Sequence, residues 1–332
     1  MKQAVYGLAG PVKKYGPLVL LGIFLLLPLL ITKTYILGLL CRVLMYATLA
    51  GSLNVINGYS GQMCIGHAGF FCIGSYVEAI LATRFGISFW LLLPLAGAVA
   101  ALMGLMVALP TLKMRGVYLA IITLGFSEII RLIALNWTEV TGGAMGIKNI
   151  PVPQLGGLEF SNARTYYYIF LGVAALFLFV TRRVVRSRIG RAWMSIREDQ
   201  LAARSLGVNT PAYKAVNFMY GAFWAGIVGA AYAPYARFID STIYSLDEGF
   251  NILSMVIVGG SGTLMGPLAG SVVINALTEL LRPIGQWRMV AYGVLIIVMM
   301  WFRPQGLIGA SDSVLAGRDI KAKKQKAKED AK

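Results

Sequence analysis

Charge is what this sequence has least of. Only 13% of its 332 residues are charged, and the 14 acidic residues are outnumbered by 30 lysines and arginines. Such a composition excludes an ordinary soluble protein of this length. A single histidine, His67, excludes an ordinary histidine-based structural zinc site. Cysteine is equally sparse: Cys41, Cys64 and Cys72 are odd in number and lack a C-x-x-C spacing, so they read as reduced packing residues. No G-x-x-x-x-G-K-[ST] motif occurs, and Gly259 to Gly270 offers no lysine to a phosphate, so ATP hydrolysis on this chain is not expected. Carboxylates paired with a nucleophile are missing too, which leaves a non-catalytic chain needing no cofactor of its own.

What is present is apolar. Hydrophobic residues make up 58% of the chain and the mean hydropathy is +0.71. The expectation is an all-α polytopic membrane bundle of about eight to ten spans, some broken or re-entrant. The net charge of +16 would suit nucleic acid, but the cations gather at Arg182 to Arg204 and in the tail from Arg318. That pattern marks orientation, with anionic membrane lipid rather than nucleic acid as the attracted partner. The reading is a cytoplasmic N-terminus over 1–16, one membrane domain over 17–303 and a basic cytoplasmic tail over 304–332.

Taken in order, 17–31 is a first apolar segment with no convincing cleavage site after it, hence a retained span. Residues 35–53 follow and contain Arg42, which must face the bundle, a wet cavity or the interface. Asn57 to Gly74 holds five glycines together with Asn57, Ser60, Gln62 and His67, too polar for a lipid-facing helix. It reads as a broken segment buried among helices, continuing to Ala82. Such a segment lines a solute path or packs helices closely, and composition leaves both open. Asn54, Asn57, Ser60 and Gln62 are the candidates for a path, while His67 reads as a core residue.

Residues 89–109 form a span ending at Pro110, and Lys113 and Arg115 mark a cytoplasmic turn. The next span, 117–137, carries Glu128 and Arg131 three apart on one face, as a structural ion pair would be. A glycine- and proline-rich outer loop over 138–164 precedes a span at 166–180. Beyond it, 182–211 bears seven arginines against Glu198 and Asp199, so it lies in water on the cytoplasmic side. Within it Ser195 to Leu206 predicts one short amphipathic helix, with Ile196, Leu201 and Leu206 as its apolar face and Gly207 as its stop. Spans follow at 213–235, 250–258, 264–281 and 289–302, with Arg282 and Arg288 bracketing an outer turn. Gly262, Gly266 and Gly270, spaced by four, predict a small-residue face for helix contact. Residues 57–82 and 250–262 read either as crossings or as re-entrant segments; counting both as crossings gives ten spans and keeps every basic segment inside.

Five blocks of this sequence resemble one family. They are Asn54 to Gln62, Tyr118 to Phe126, Gly190 to Gly207, Val258 to Gly262 and Arg303 to Leu307. In this order they resemble LivM-type permeases, membrane subunits of ABC importers for branched-chain amino acids. The resemblance implies a place in a bacterial inner membrane, with a LivH-like second permease, two cytoplasmic ATPases holding ATP and magnesium, and a periplasmic amino-acid-binding protein as partners. It implies that 182–211 is the ATPase-coupling loop, with Arg197, Glu198, Asp199, Ala202 and Gly207 at its working end. Leucine, isoleucine and valine are the implied cargo; urea, amides and other amino acids lie within the same family's range. An ion-coupled carrier or a channel would explain the broken segments but not the Arg197-Glu198-Asp199 pattern.

Overall fold

The computed structural model describes residues 33–112, 114, 116–155, 158–160, 162–281 and 305–308, with single positions at 28, 290, 293, 294, 297 and 301. The N-terminus and first span, Lys113, Arg115, the turn between Arg282 and Arg288, most of the last span and the tail beyond 308 lie outside the described residues.

Eleven helices follow one another through the described residues. They are α1 (Thr34–Asn54), α2 (His67–Phe85), α3 (Phe89–Thr111), α4 (Val117–Asn136), the single turn α5 (Thr138–Thr141), α6 (Ala163–Arg186), α7 (Arg188–Glu198), α8 (Gln200–Ser205), α9 (Thr210–Ala236), α10 (Leu246–Gly259) and α11 (Gly266–Leu280). The last turn of α1 widens into a π-helical stretch, Val55–Tyr59. Among the described residues five helices are long and apolar enough to cross a membrane: α1 with its extension, α2, α3, α4 and α6. The chain is a polytopic helical membrane protein.

The core forms around α9, which packs on α1, α2, α3, α6 and α7. At 27 residues it is the longest helix described, and its interior face is made of small residues: Gly221, Ala222, Ala225, Gly226, Gly229, Ala230 and Ala233 are all buried. Without a water-driven hydrophobic effect between helices in a bilayer, close van der Waals contact must hold them together, and small residues permit it. One apolar cluster runs through the bundle from Cys41 to Ile274, and a second surrounds Trp193, Trp224 and Phe177. The three cysteines are buried and free.

Loops and helix ends show which way the helices run. β1 (Ile147–Lys148) pairs antiparallel with β4 (Phe238–Ile239), while β2 (Gln154–Leu155) and β3 (Leu158–Glu159) form a separate hairpin. The loops after α4 and after α9 therefore lie together. Arg84, in the last turn of α2, donates to the carbonyls of Glu139 and Val140 at that same end. Tyr35, in the first turn of α1, donates to Glu279 near the end of α11. At the opposite end of the bundle Arg197 reaches the break after α1, and Leu307 and Ile308 bond the last carbonyls of α10. The chain thus runs from end to end through α2, and through α10 and α11 as a pair, although α10 and α11 have only 14 and 15 residues.

Three sequence expectations differ from the structure. Pro110 lies inside α3 rather than ending it. The single helix expected over Ser195 to Leu206 is two: α7 ends at Glu198, Asp199 is extended, and α8 begins at Gln200. Residues five apart are turned by about 140° on an α-helix, so Ile196, Leu201 and Leu206 do not share a face; Ile196 is buried, while Leu201 and Leu206 are 63% and 84% exposed. The glycines spaced by four do not form one helix face either. Gly262 lies in the turn before α11, whereas Gly266 and Gly270, both in α11, lie against Gly259 of α10, and Gly270 also meets Met255.

Glu128 and Arg131 are paired, Nε of Arg131 lying 3.0 and 2.9 Å from the two carboxylate oxygens. Arg42 lines a small cavity of about 140 Å3 with Tyr35, Gly38, Leu39 and Glu279. His67 is fully buried, 2.7 Å from the Ser52 hydroxyl.

Candidate functional site

The polar residues of the first glycine-rich break are gathered at one junction. Where α1 ends, its backbone leaves helical geometry through the π-turn and Gly61, and Gln62 N–H bonds back to the Ile56 carbonyl. A helix break buried among other helices needs partners for its freed backbone groups, because each one left unpaired away from water costs about 1–3 kcal/mol. Here side chains supply them. Asn57 bonds Cys64 twice, accepting from its N–H at 3.0 Å and donating to its carbonyl at 3.1 Å. Thr123 of α4 accepts from Ile65 N–H at 3.1 Å. Gln62 donates to Ser60 at 2.9 Å and to Asn217 at 3.2 Å, and Asn217 donates to the Val55 carbonyl at 3.1 Å.

The second break, between α10 and α11, packs on the first. Asn54 bridges them, accepting from Gly262 N–H at 2.8 Å and donating to the Thr263 carbonyl at 2.7 Å. The approach is so close that a Cβ at Gly58 would lie 2.3 Å from the Gly262 nitrogen, which is why glycine stands there. Gly262 itself has a φ of +77°, in the left-handed region that glycine adopts without strain. The carbonyls of Val258 and Gly259 at the end of α10 accept from Leu307 and Ile308, at 2.9 and 3.0 Å.

Into this junction comes one charged side chain. Arg197, in the last turn of α7, donates from Nη1 to the Gly58 carbonyl at 2.6 Å, and the same nitrogen is 2.6 Å from where a Cβ of Gly262 would stand. α7 is held in place by Trp193, fully buried, whose indole N–H donates to the Tyr213 carbonyl at the start of α9 at 2.9 Å. The segment beyond α7 is outward-facing: Glu198, Ala202 and Gly207 are exposed with Leu201 and Leu206. Asp199 has a structural task. Its carboxylate accepts from Leu201 N–H at 2.7 Å and Ala202 N–H at 3.1 Å, the N-cap of α8.

The described residues of the five sequence blocks, more than 240 residues apart at their extremes, therefore meet at one place. Asn54, Asn57, Ser60 and Gln62 are brought together, but the amides of Asn54 and Asn57 are spent on backbone partners rather than turned toward a solute. Asn217 and Thr263 are not among the residues that sequence patterns mark as candidates. A lone asparagine within the apolar span 213–235 is the readable sign for the first; nothing local marks the second.

Asn54→Ala would strip two buried backbone groups of their partners at once, a cost of about 2 kcal/mol. The expected result is a thermal midpoint lower by several degrees for the detergent-solubilised protein, with Asn136→Ala, at an exposed helix position, close to wild type. Equal midpoints for Asn54→Ala and wild type would show that the bridge does not hold the breaks together.

The family model described as branched-chain amino acid transport system / permease component matches residues 35–302. Over 307 residues the chain is 36% identical to the high-affinity branched-chain amino acid transport system permease protein LivM of Salmonella typhimurium, covering 86% of this chain and 72% of that protein. The LivM protein of Escherichia coli K12 gives the same identity and coverage. The LivH permease protein of Escherichia coli K12 is 24% identical over 293 residues, 80% of this chain and 91% of that one. No solved structure matches.

Proposed function

The chain belongs to the permease-component family of branched-chain amino acid transport systems, and we propose that it moves its cargo in answer to ATPase motion received through α7 and α8. It is a membrane permease subunit of an ABC-importer family. The cargo in this reading is leucine, isoleucine and valine, handed over by a periplasmic binding protein. A LivH-like permease completes the path and two ATPases supply the work. The arginine-rich end of the bundle faces the cytoplasm, as the positive-inside rule requires.

One observation carries the coupling: the guanidinium of Arg197 is bonded to the carbonyl of Gly58 where the two helix breaks meet. Exposed Leu201, Leu206, Ala202 and Glu198 offer an ATPase apolar and charged contacts around α8, and Gly207, with a φ of +84°, turns the chain after it. A displacement of α7 would pull on Arg197 and so bear on both breaks directly. An ATPase must contact this surface differently in its two states for the motion to do work. Asn54, Asn57, Ser60 and Gln62 then act as ties of the break, and they line a path only when those bonds are exchanged for bonds to solute. Glu128 and Arg131, which an ion-coupled carrier would require, neutralise one another.

Co-purification from native membranes tests the reading, together with uptake of radiolabelled leucine competed by unlabelled valine, urea or amides. Wild type is expected to bring down an ATPase pair and to take up leucine only with ATP. Glu198→Arg, an exposed change that leaves the bundle untouched, should lose both. Uptake driven by an ion gradient in a chain that purifies alone would refute the assignment.

A further inference from the structure

We propose that the charged end of α6 carries a site for an anionic phospholipid, the headgroup phosphate held by Arg182, Arg183 and Arg186 and an acyl chain lying along Phe179 and Leu176. This goes beyond the transport reading and does not depend on the cargo.

A groove of about 420 Å3 lies there, lined by Phe179, Arg182, Arg183, Arg186 and Ser187. Positions 179, 182, 183 and 186 share one helical face by their three- and four-residue spacing, and Phe179, Arg182, Arg183 and Arg186 reach the surface along it. The face is fixed from behind, since Thr181 is buried and its hydroxyl is 2.7 Å from that of Tyr220 on α9. Arg183 lies over the Phe179 ring, 4.5 Å from its centre. Stacked in that way, a guanidinium keeps its N–H edge free to form paired bonds with phosphate oxygens.

Among the described residues no carboxylate lies within ion-pair distance of these three arginines. Three like charges converging on one groove repel each other unless an anion joins them. The axial rise from Phe179 to Arg186 is about 10 Å. That is enough to put the ring in hydrocarbon and the last guanidinium in the headgroup layer, which adds roughly 5–8 Å on each side of the core. Above the groove the same face of α6 remains apolar and open, with Leu176 and Phe179 54% and 55% exposed. Apolar wall below charged rim is the chemistry of a lipid, whereas a free phosphate would have no use for the wall.

The test is native mass spectrometry of the full chain after equilibration with equal amounts of phosphatidylglycerol and phosphatidylcholine in detergent. Wild type should retain one saturable phosphatidylglycerol in preference to phosphatidylcholine. At about fivefold per arginine, Arg182→Gln, Arg183→Gln and Arg186→Gln combined should lower that retention by roughly a hundredfold. The three Arg→Lys changes control for folding and should keep most of it, and Phe179→Ala should weaken it with every charge in place. Unchanged retention in the triple glutamine variant overturns the site. Displacement of the lipid by millimolar inorganic phosphate would reassign it to a free anion. Cross-linking from Phe179→Cys to the second permease would show that the groove is a subunit interface instead; the native cysteines are all buried and leave that thiol unique at the surface. None of these outcomes alters ATP-dependent uptake through Arg197, so failure here is distinguishable from failure of the transport reading.

Discussion

Gly74→Ala is expected to melt far below wild type, and Gly74→Leu to yield no folded protein. A Cβ at Gly74 would stand 2.1 Å from the carbonyl oxygen of Gly226 and 2.5 Å from its Cα. Ordinary carbon-to-oxygen contact is about 3.3 Å or more, so α2 and α9 would have to part by roughly 1 Å. Nothing at this crossing can give way cheaply, because the obstructing atoms are backbone on a helix packed from several sides. Gly229 faces the Phe71 carbonyl in the same crossing, and Gly226 also faces Ala96 and Ala100 on α3. Moving α9 off α2 therefore disturbs the packing against α3 as well. Overpacking of a yielding core costs about 1–3 kcal/mol; this site belongs at the top of that range for alanine and beyond it for leucine. Gly125→Ala and Gly172→Ala are the controls. Both are helical glycines with nothing within 4 Å of an added Cβ, so they should be neutral or stabilising by about 0.5–1 kcal/mol. Thermal unfolding followed by size-exclusion chromatography reads all four. If Gly74→Ala melts with wild type, α9 is not the rigid centre of the bundle.

Arg197→Ala should lower leucine uptake by roughly tenfold or more while leaving the ATPases attached and hydrolysing. The bond it removes is charge-assisted and only partly exposed, of a kind worth about 1.5–3 kcal/mol, and it joins α7 to the break itself. Docking and transmission are thereby separated: Glu198→Arg is expected to lose the ATPase, Arg197→Ala to keep it and waste its work. Arg197→Lys should recover part of the uptake, since an ammonium can donate to the Gly58 carbonyl but lacks the fixed planar geometry of the guanidinium. Should Arg197→Ala transport normally, the contact with Gly58 is incidental and the junction answers to some other element.

Much of this protein is legible in the sequence alone. The scarcity of charge, the apolar runs and the arginines of 182–211 determine a multi-pass helical protein, because burying charge in hydrocarbon costs too much for the pattern to mean anything else. The i, i+3 spacing of Glu128 and Arg131 determines their pairing in the same local way. Helix ends are less legible: α3 keeps Pro110, and Asp199 cuts the expected helix in two by turning its carboxylate onto the amides of Leu201 and Ala202. Ile196 is buried on α7 before that break while Leu201 and Leu206 are exposed after it, a division that a linear pattern does not contain. The glycine spacing holds for Gly266 and Gly270, which pack on Gly259 of α10, and fails at Gly262, since period four describes a helix face only where the chain is helical.

What only the tertiary structure decided is which distant groups satisfy each other. Asn54 and Thr263 lie 209 positions apart, and Arg197 and Gly58 lie 139 apart. No local rule pairs an asparagine with a loop two hundred residues on. The pairing is set by the packing of α1 on α10 and α11 and of α7 on the bundle, and by the need of every buried freed backbone group for a partner. The sequence determined that the glycine-rich breaks exist and that the chain spans a membrane; the packing of helices decided that the breaks meet, and that one arginine stands between them.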